Sequence, residues 1–163
     1  MTTNKARITK DAANNKIIVV KTIDAPLEQV WNAWTTPEQL DKWWGPKPWK
    51  AVTKKMNFSA GGSWVYIMQG PKGEQQWDKF EFTKIDKYKD FSATDMFIDQ
   101  QGERNSDMPS GRWKVSFFKS GDGTKIESEI SYDNKEDMDK ILKMGFEEGF
   151  TIGLDQLDEL FSH

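Results

Sequence analysis

The sequence predicts an α+β domain built on an antiparallel sheet. Three observations carry that expectation: strand-like segments separated by turn signals fill residues 49–132, two short helical patterns follow the first strand, and a long amphipathic pattern closes the chain. With 163 residues the chain is expected to be one domain, able to bury roughly two-thirds of its unfolded surface. That domain is placed at 16–163, after an N-terminal segment, 1–15, that is flexible or extended.

The first strand, 16–24, is rich in β-branched residues (Ile17, Ile18, Val19, Val20, Ile23). Pro26 opens a helix in which Leu27, Val30, Trp31 and Trp34 repeat as one apolar stripe. Thr36-Pro37-Glu38-Gln39 has the pattern of a capping box, Leu40, Trp43 and Trp44 supply the apolar side of a second helix, and Gly45-Pro46 ends it. Six further strands follow at about 49–57, 62–69, 75–87, 91–98, 111–119 and 124–132, broken at turn-forming clusters such as Gly70-Pro-Lys-Gly73 and Ser120-Gly-Asp-Gly123. Asp133-x-x-Glu136 caps a final helix expected to run unbroken over 135–160. Its buried face carries Met138, Leu142, Phe146, Ile152, Leu157 and Leu160, with Gly145, Gly149 and Gly153 recurring every fourth residue. Such glycines either let the helix pack closely on the sheet or leave room for a ligand beneath it.

Composition excludes several chemistries. There is no cysteine, hence no disulfide, thiolate site or Cys nucleophile, and the one histidine is residue 163, which removes a Ser-His-Asp triad and an imidazole metal cluster. No run approaches the ~20 apolar residues of a membrane span, and the N-terminus lacks a signal-peptide core, so a cytoplasmic protein without membrane contact is expected. Net charge is −3, which gives no general attraction to nucleic acid. Lys47, Lys50, Lys54 and Lys55 beside Trp49 therefore read as a solvated strand face. Residues 1–57 carry ten Lys/Arg against five Asp/Glu, and 133–160 carry three against nine, so the two ends are expected to attract each other. No cofactor or metal is implied.

The motifs Asp24-Ala-Pro26, Val30-Trp31-x-Ala33, Pro37, Leu40 and Trp43-Trp44-Gly45-Pro46, followed by Gly61-Gly62-Ser-Trp64, Met68-x-Gly70-Pro71-x-Gly73 and Gly145-Phe-x-x-Gly149-Phe-x-x-Gly-Leu154-x-x-Leu157, stand in a distinctive order. This order resembles the START-like helix-grip superfamily (SRPBCC), and within it the branch related to the C-terminal domain of the activator of the ninety-kilodalton heat-shock chaperone's ATPase. The resemblance implies a curved seven-stranded antiparallel sheet around the long C-terminal helix, with an apolar cavity between them. A parallel strand pair inside the sheet, or a break of the last helix into two separate pieces, would overturn it. The chain departs from the branch pattern at Asp78, where glycine is usual, and at Asp86-Lys-Tyr-Lys-Asp90, which replaces a proline-containing turn.

Members of the superfamily bind hydrophobic molecules, and some are cyclases or hydrolases. The function expected first is therefore the binding of a small hydrophobic molecule by an aromatic and methionine-lined cavity: Trp64, Met68, Phe80, Phe82, Met96, Trp113, Phe117, Phe146 and Phe150, with Trp31, Trp34 and Gly149. Of Trp43 and Trp44, adjacent and about 100° apart on a helix, one packs and the other faces the rim. A second function is a co-chaperone-like interaction with a chaperone. The third and least supported is an enzyme using Asp78, Asp95 or Tyr66 as acid–base groups. Tyr66, Asp78 and Asp95 are also counted among the ligand-binding residues, because both acids share alternation parity with apolar neighbours, Asp78 with Phe80 and Phe82, Asp95 with Phe91, Ala93 and Phe97, and an inward carboxylate could anchor a polar ligand group. Buried acids are rare, and the ordinary expectation for each is solvent exposure or a pair with Arg112 or a nearby lysine.

Overall fold

The structure, a computed structural model, describes residues 5–162. Residues 1–4 of the N-terminal segment, and His163, lie outside the described residues. The described residues form eight strands: β1 Arg7–Asp11, β2 Lys16–Ile23, β3 Lys50–Met56, β4 Ser63–Gln69, β5 Gln75–Asp86, β6 Asp90–Ile98, β7 Gly111–Ser120 and β8 Gly123–Ser131. They form one open sheet in the order β1-β2-β8-β7-β6-β5-β4-β3, each neighbouring pair antiparallel. Register shifts at Thr53/Lys55 and Phe82/Lys84 add local bends to this sheet. The strand count is eight instead of seven because β1 pairs with β2 at the edge, from Arg7↔Val20 to Asp11↔Lys16. Its sequence, Arg-Ile-Thr-Lys-Asp, holds one apolar residue and so offers no alternation to read.

The crossover from β2 to β3 consists of α1, Leu27–Thr35, and α2, Pro37–Trp43. Pro37 starts α2 as expected, but the capping box does not form. The Thr36 hydroxyl donates to the Asn32 carbonyl of α1 at 2.8 Å, a rotamer that turns it back on α1, and it makes no bond to the α2 amides. The final helix is also capped one residue later than the sequence suggests. Asn134 accepts from the Asp137 amide at 2.8 Å, while Asp133 turns outward to Arg112 at 2.6 Å.

A single helix over 135–160 is corrected to two: α3, Lys135–Lys143, and α4, Phe146–Leu160. Gly145 between them has φ +89, a backbone conformation that glycine adopts without the β-carbon clash of other residues. Its amide donates to the Leu142 carbonyl, closing α3 as a left-handed glycine does at many helix ends. The helix-grip arrangement survives the break because α4 alone lies on α2 and β2, burying Phe150, Gly153, Leu154 and Leu157. Charge also holds the two chain ends together. Lys10 meets Glu147 at 2.8 Å, and Lys21, only 3% exposed, reaches Asp155 and Asp158 of α4 at 3.4 and 3.3 Å. The exposed pair adds little to stability, whereas the buried lysine must keep its partners and so pins α4 to β2. Among the described residues no helix is long and apolar enough to cross a membrane.

Candidate functional site

The aromatic side chains divide into a solid core and a cavity wall. Under α1 and α2, Trp31 packs edge-on to Phe117 at 5.1 Å, Trp34 to Trp43 at 4.9 Å, and Phe58 to Phe82 at 4.8 Å. Trp43 is fully buried and donates its indole N–H to the Ala33 carbonyl at 2.8 Å, and Trp64 donates to the Thr53 hydroxyl at 3.0 Å. Their polar ends are satisfied by the protein, as core tryptophans require. Trp34, Trp64, Phe80 and Phe82 border a void of about 10 Å³, room for no more than one water. Trp31, Trp34, Trp43, Trp64, Phe80, Phe82 and Phe117 therefore stand apart from the larger cavity. Met96 does as well, because it pairs with Lys79 on the opposite face from Asp95 and Phe97.

On the α3–α4 side the filling stops. A cavity of about 220 Å³ opens between β4–β7 and the junction of α3 with α4. It is lined by Trp44, Tyr66, Met68, Asp78, Asp95, Trp113, Phe146, Gly149 and Phe150 from the residues the sequence singles out, so that Trp44 is the exposed member of its pair. Pro46, Gln76, Phe97, Pro109, Gly111, Tyr132, Ile141, Met144 and Gly145 complete it. Phe97 and Tyr132 carried a usable signal, since each has the inward parity of its strand.

Asp78 and Asp95 both face this cavity, which overturns the ordinary expectation of exposure or an ion pair with Arg112. Arg112 lies on the other face, bound to Asp133. Strand register explains the meeting. Asp78 is opposite Phe97 and Asp95 opposite Phe80, so the two acids are diagonal neighbours on one face of β5 and β6. Tyr66 is directly across from Asp78 on β4, and Gly111 directly across from Asp95 on β7. A β-carbon at Gly111 would come within 3.1 Å of the Tyr132 ring, so the absent side chain makes room for Tyr132 beside Asp95.

Burial first, then the charge of Asp95, push Asp78 well above the usual carboxylate range. Burial also raises Asp95, while contacts with Asp78 and Trp113 favour its charge. With both ionised, Oδ1 of each acid finds no donor among the described residues, and the buried Trp113 N–H has no acceptor in bonding geometry. A proton kept on Asp78 and shared with Asp95 relieves the two carboxyl oxygens. The two acids thus titrate as a pair, with Asp78 holding the proton longer. The Tyr66 and Tyr132 phenols are pushed up by burial and by these same carboxylates. Among the described residues no Lys, Arg or His lines the cavity.

Residues 24–162 match the profile of the family described as "Activator of Hsp90 ATPase homolog 1-like protein". The chain belongs to this family. Protein Ms6760 from Mycobacterium smegmatis has a similar structure, with TM-score 0.89 and 28% identity over 96% of each chain. A protein from Arthrobacter aurescens is similar at TM-score 0.88 and 29% identity, over 93% of this chain and 88% of that one. A third, from Staphylococcus epidermidis, gives TM-score 0.82 and 26% identity over 96% of each. No curated protein matches the chain.

In this activator-homologue domain the three periodic glycines have three different causes. Gly145 supplies the left-handed turn described above. Gly153 lies under the α2 exit, where a β-carbon would come 3.4 Å from the Trp43 carbonyl oxygen. At Gly149 a β-carbon would meet only Pro46, at 3.7 Å, so the space beside it is open cavity. The turn bearing Trp44 and Pro46 is held by a residue that periodicity alone does not single out. Gln156 of α4 donates to the carbonyls of Trp43 and Gly45 at 2.9 and 2.8 Å and accepts from the Lys47 amide at 3.0 Å. Its signal is a glutamine between Leu154 and Leu157 on an otherwise apolar helix face.

Proposed function

We propose that the chain binds a small hydrophobic molecule in the cavity between the sheet and the C-terminal helices. The observation that carries this is a hollow of about 220 Å³ walled by Trp44, Trp113, Phe146 and Phe150, in a domain that packs Trp34, Trp64, Phe80 and Phe82 around a void of only about 10 Å³. The neutral dye N-phenyl-1-naphthylamine should gain fluorescence on binding. At a hundredfold excess over its Kd it should stabilise the fold by about 2.7 kcal/mol. Gly149→Leu fills the open side of the cavity and should abolish dye binding while the melting temperature holds, since nothing rigid opposes the new side chain. Gly153→Leu is the contrasting control. It pushes on the α2 exit and should lower stability by roughly 1–3 kcal/mol. Failure of the dye to bind, or binding untouched by Gly149→Leu, overturns the proposal.

A second reading, interaction with a chaperone, is favoured by the family's description as activators of the Hsp90 ATPase. It would use the outer sheet face instead of the cavity. Stimulation of a chaperone ATPase by both wild type and Gly149→Leu would support it.

A further inference from the structure

We infer that the molecule held in the cavity is an organic ammonium: an apolar or aromatic body carrying a protonated amine that sits between Asp78 and Asp95. This rests on the cavity being a ligand site, as proposed above, and adds the chemistry of what enters it.

Asp78 is 7% exposed and lines the cavity beside Asp95, and once the pair is fully ionised Oδ1 of each acid is without a donor, a need that the protein by itself meets only with the shared proton. An unpaired buried carboxylate is costly, and a pair of them more so. Proteins normally answer such a group with a lysine or arginine, yet among the described residues no cation lines this cavity. The compensating charge is therefore free to come from outside. An ammonium takes the place of that shared proton with three donors for the two oxygens, and charge-assisted hydrogen bonds of this kind are stronger than neutral ones. The surrounding rings, Trp44, Trp113 and Phe150 among them, suit the same cation, because aromatic faces attract positive charge. A carboxylate ligand would meet repulsion here. An alcohol would find acceptors but leave the charge uncompensated.

The titratable groups facing the pair are Tyr66 from β4 and Tyr132 after β8, both kept neutral by burial. The lining supplied by α3 and α4 is untitratable, and Arg112 is engaged by Asp133 on the outer face. Ammonium binding should accordingly follow the charge of the aspartate pair alone, weakening as pH falls through the raised folded-state range of Asp78, which begins well above the ordinary carboxyl range.

The test compares 3-phenylpropylamine, 3-phenylpropan-1-ol and 3-phenylpropanoate by calorimetry at neutral pH. The amine should bind at least about tenfold more tightly than the alcohol, the gap expected from charge-assisted over neutral hydrogen bonding, with the carboxylate weakest. In Asp78→Asn/Asp95→Asn the amine should lose that advantage while the alcohol is unchanged or improved. The melting temperature of the variant, and its binding of N-phenyl-1-naphthylamine, show that the cavity is intact. Equal affinity for amine and alcohol, or an amine preference that survives the double substitution, overturns the inference and leaves the hydrophobic cavity standing if the dye binds. If neither the dye nor any of the three compounds binds, both fall.

Discussion

Gln156→Leu should lower the unfolding free energy by about 2–4 kcal/mol, as expected when buried backbone groups lose their partners. Leucine fills a similar volume on α4 but leaves the buried Trp43 and Gly45 carbonyls and the half-buried Lys47 amide without their partner. Those three groups lie on the turn that sets Trp44 and Pro46 at the cavity, so dye affinity should fall together with stability. Gln156→Glu separates the contributions. It keeps an acceptor for Lys47 and loses both donors, and should be at least as damaging because a buried charge is added. Chemical denaturation of the two variants provides the measurement. A loss below about 1 kcal/mol for leucine would mean that water replaces the glutamine at the turn.

The strands are legible in the sequence because alternation is a direct imprint of a sheet with one covered face, and the same alternation puts Asp78 and Asp95 in phase with inward-pointing apolar neighbours. Their meeting is not legible. It depends on the β5–β6 register, in which Asp78 faces Phe97 and Asp95 faces Phe80, and register is a long-range property. The cavity wall is only half legible for a related reason. Alternation says that Phe80, Phe117 and Trp113 all point inward, but inward positions serve core and cavity alike, and only the placement of α3 and α4 decides which rings have a partner. Met96 is different, since its adjacency to Asp95 already excludes it from their face. Gly145 shows the limit of helical periodicity. A four-residue spacing groups it with Gly149 and Gly153, whereas its positive φ ends one helix and starts another.

Asp78→Asn should stabilise the protein at neutral pH by about 1–3 kcal/mol, the scale of an unmet buried polar group being satisfied. The amide keeps the shape of the side chain and offers Asp95 a permanent N–H donor where the acid must retain a proton to do so. The pH dependence provides the sharper signature. Asp78 has a folded-state pKa raised above that of the unfolded chain, so between the two values the folded protein holds a proton that the unfolded chain has released. Stability must then decline as pH rises from the ordinary carboxyl range through the folded-state value, and level off beyond it. Below that window the acid is protonated in both states and costs nothing. In Asp78→Asn this decline should be largely removed, and Asp95, now receiving the amide N–H as well as facing Trp113, should ionise more readily. Thermal unfolding of both proteins across the acid-to-neutral range measures the difference. A variant less stable than wild type at neutral pH, with the decline intact, would show that Asp78 does not hold the proton of the pair.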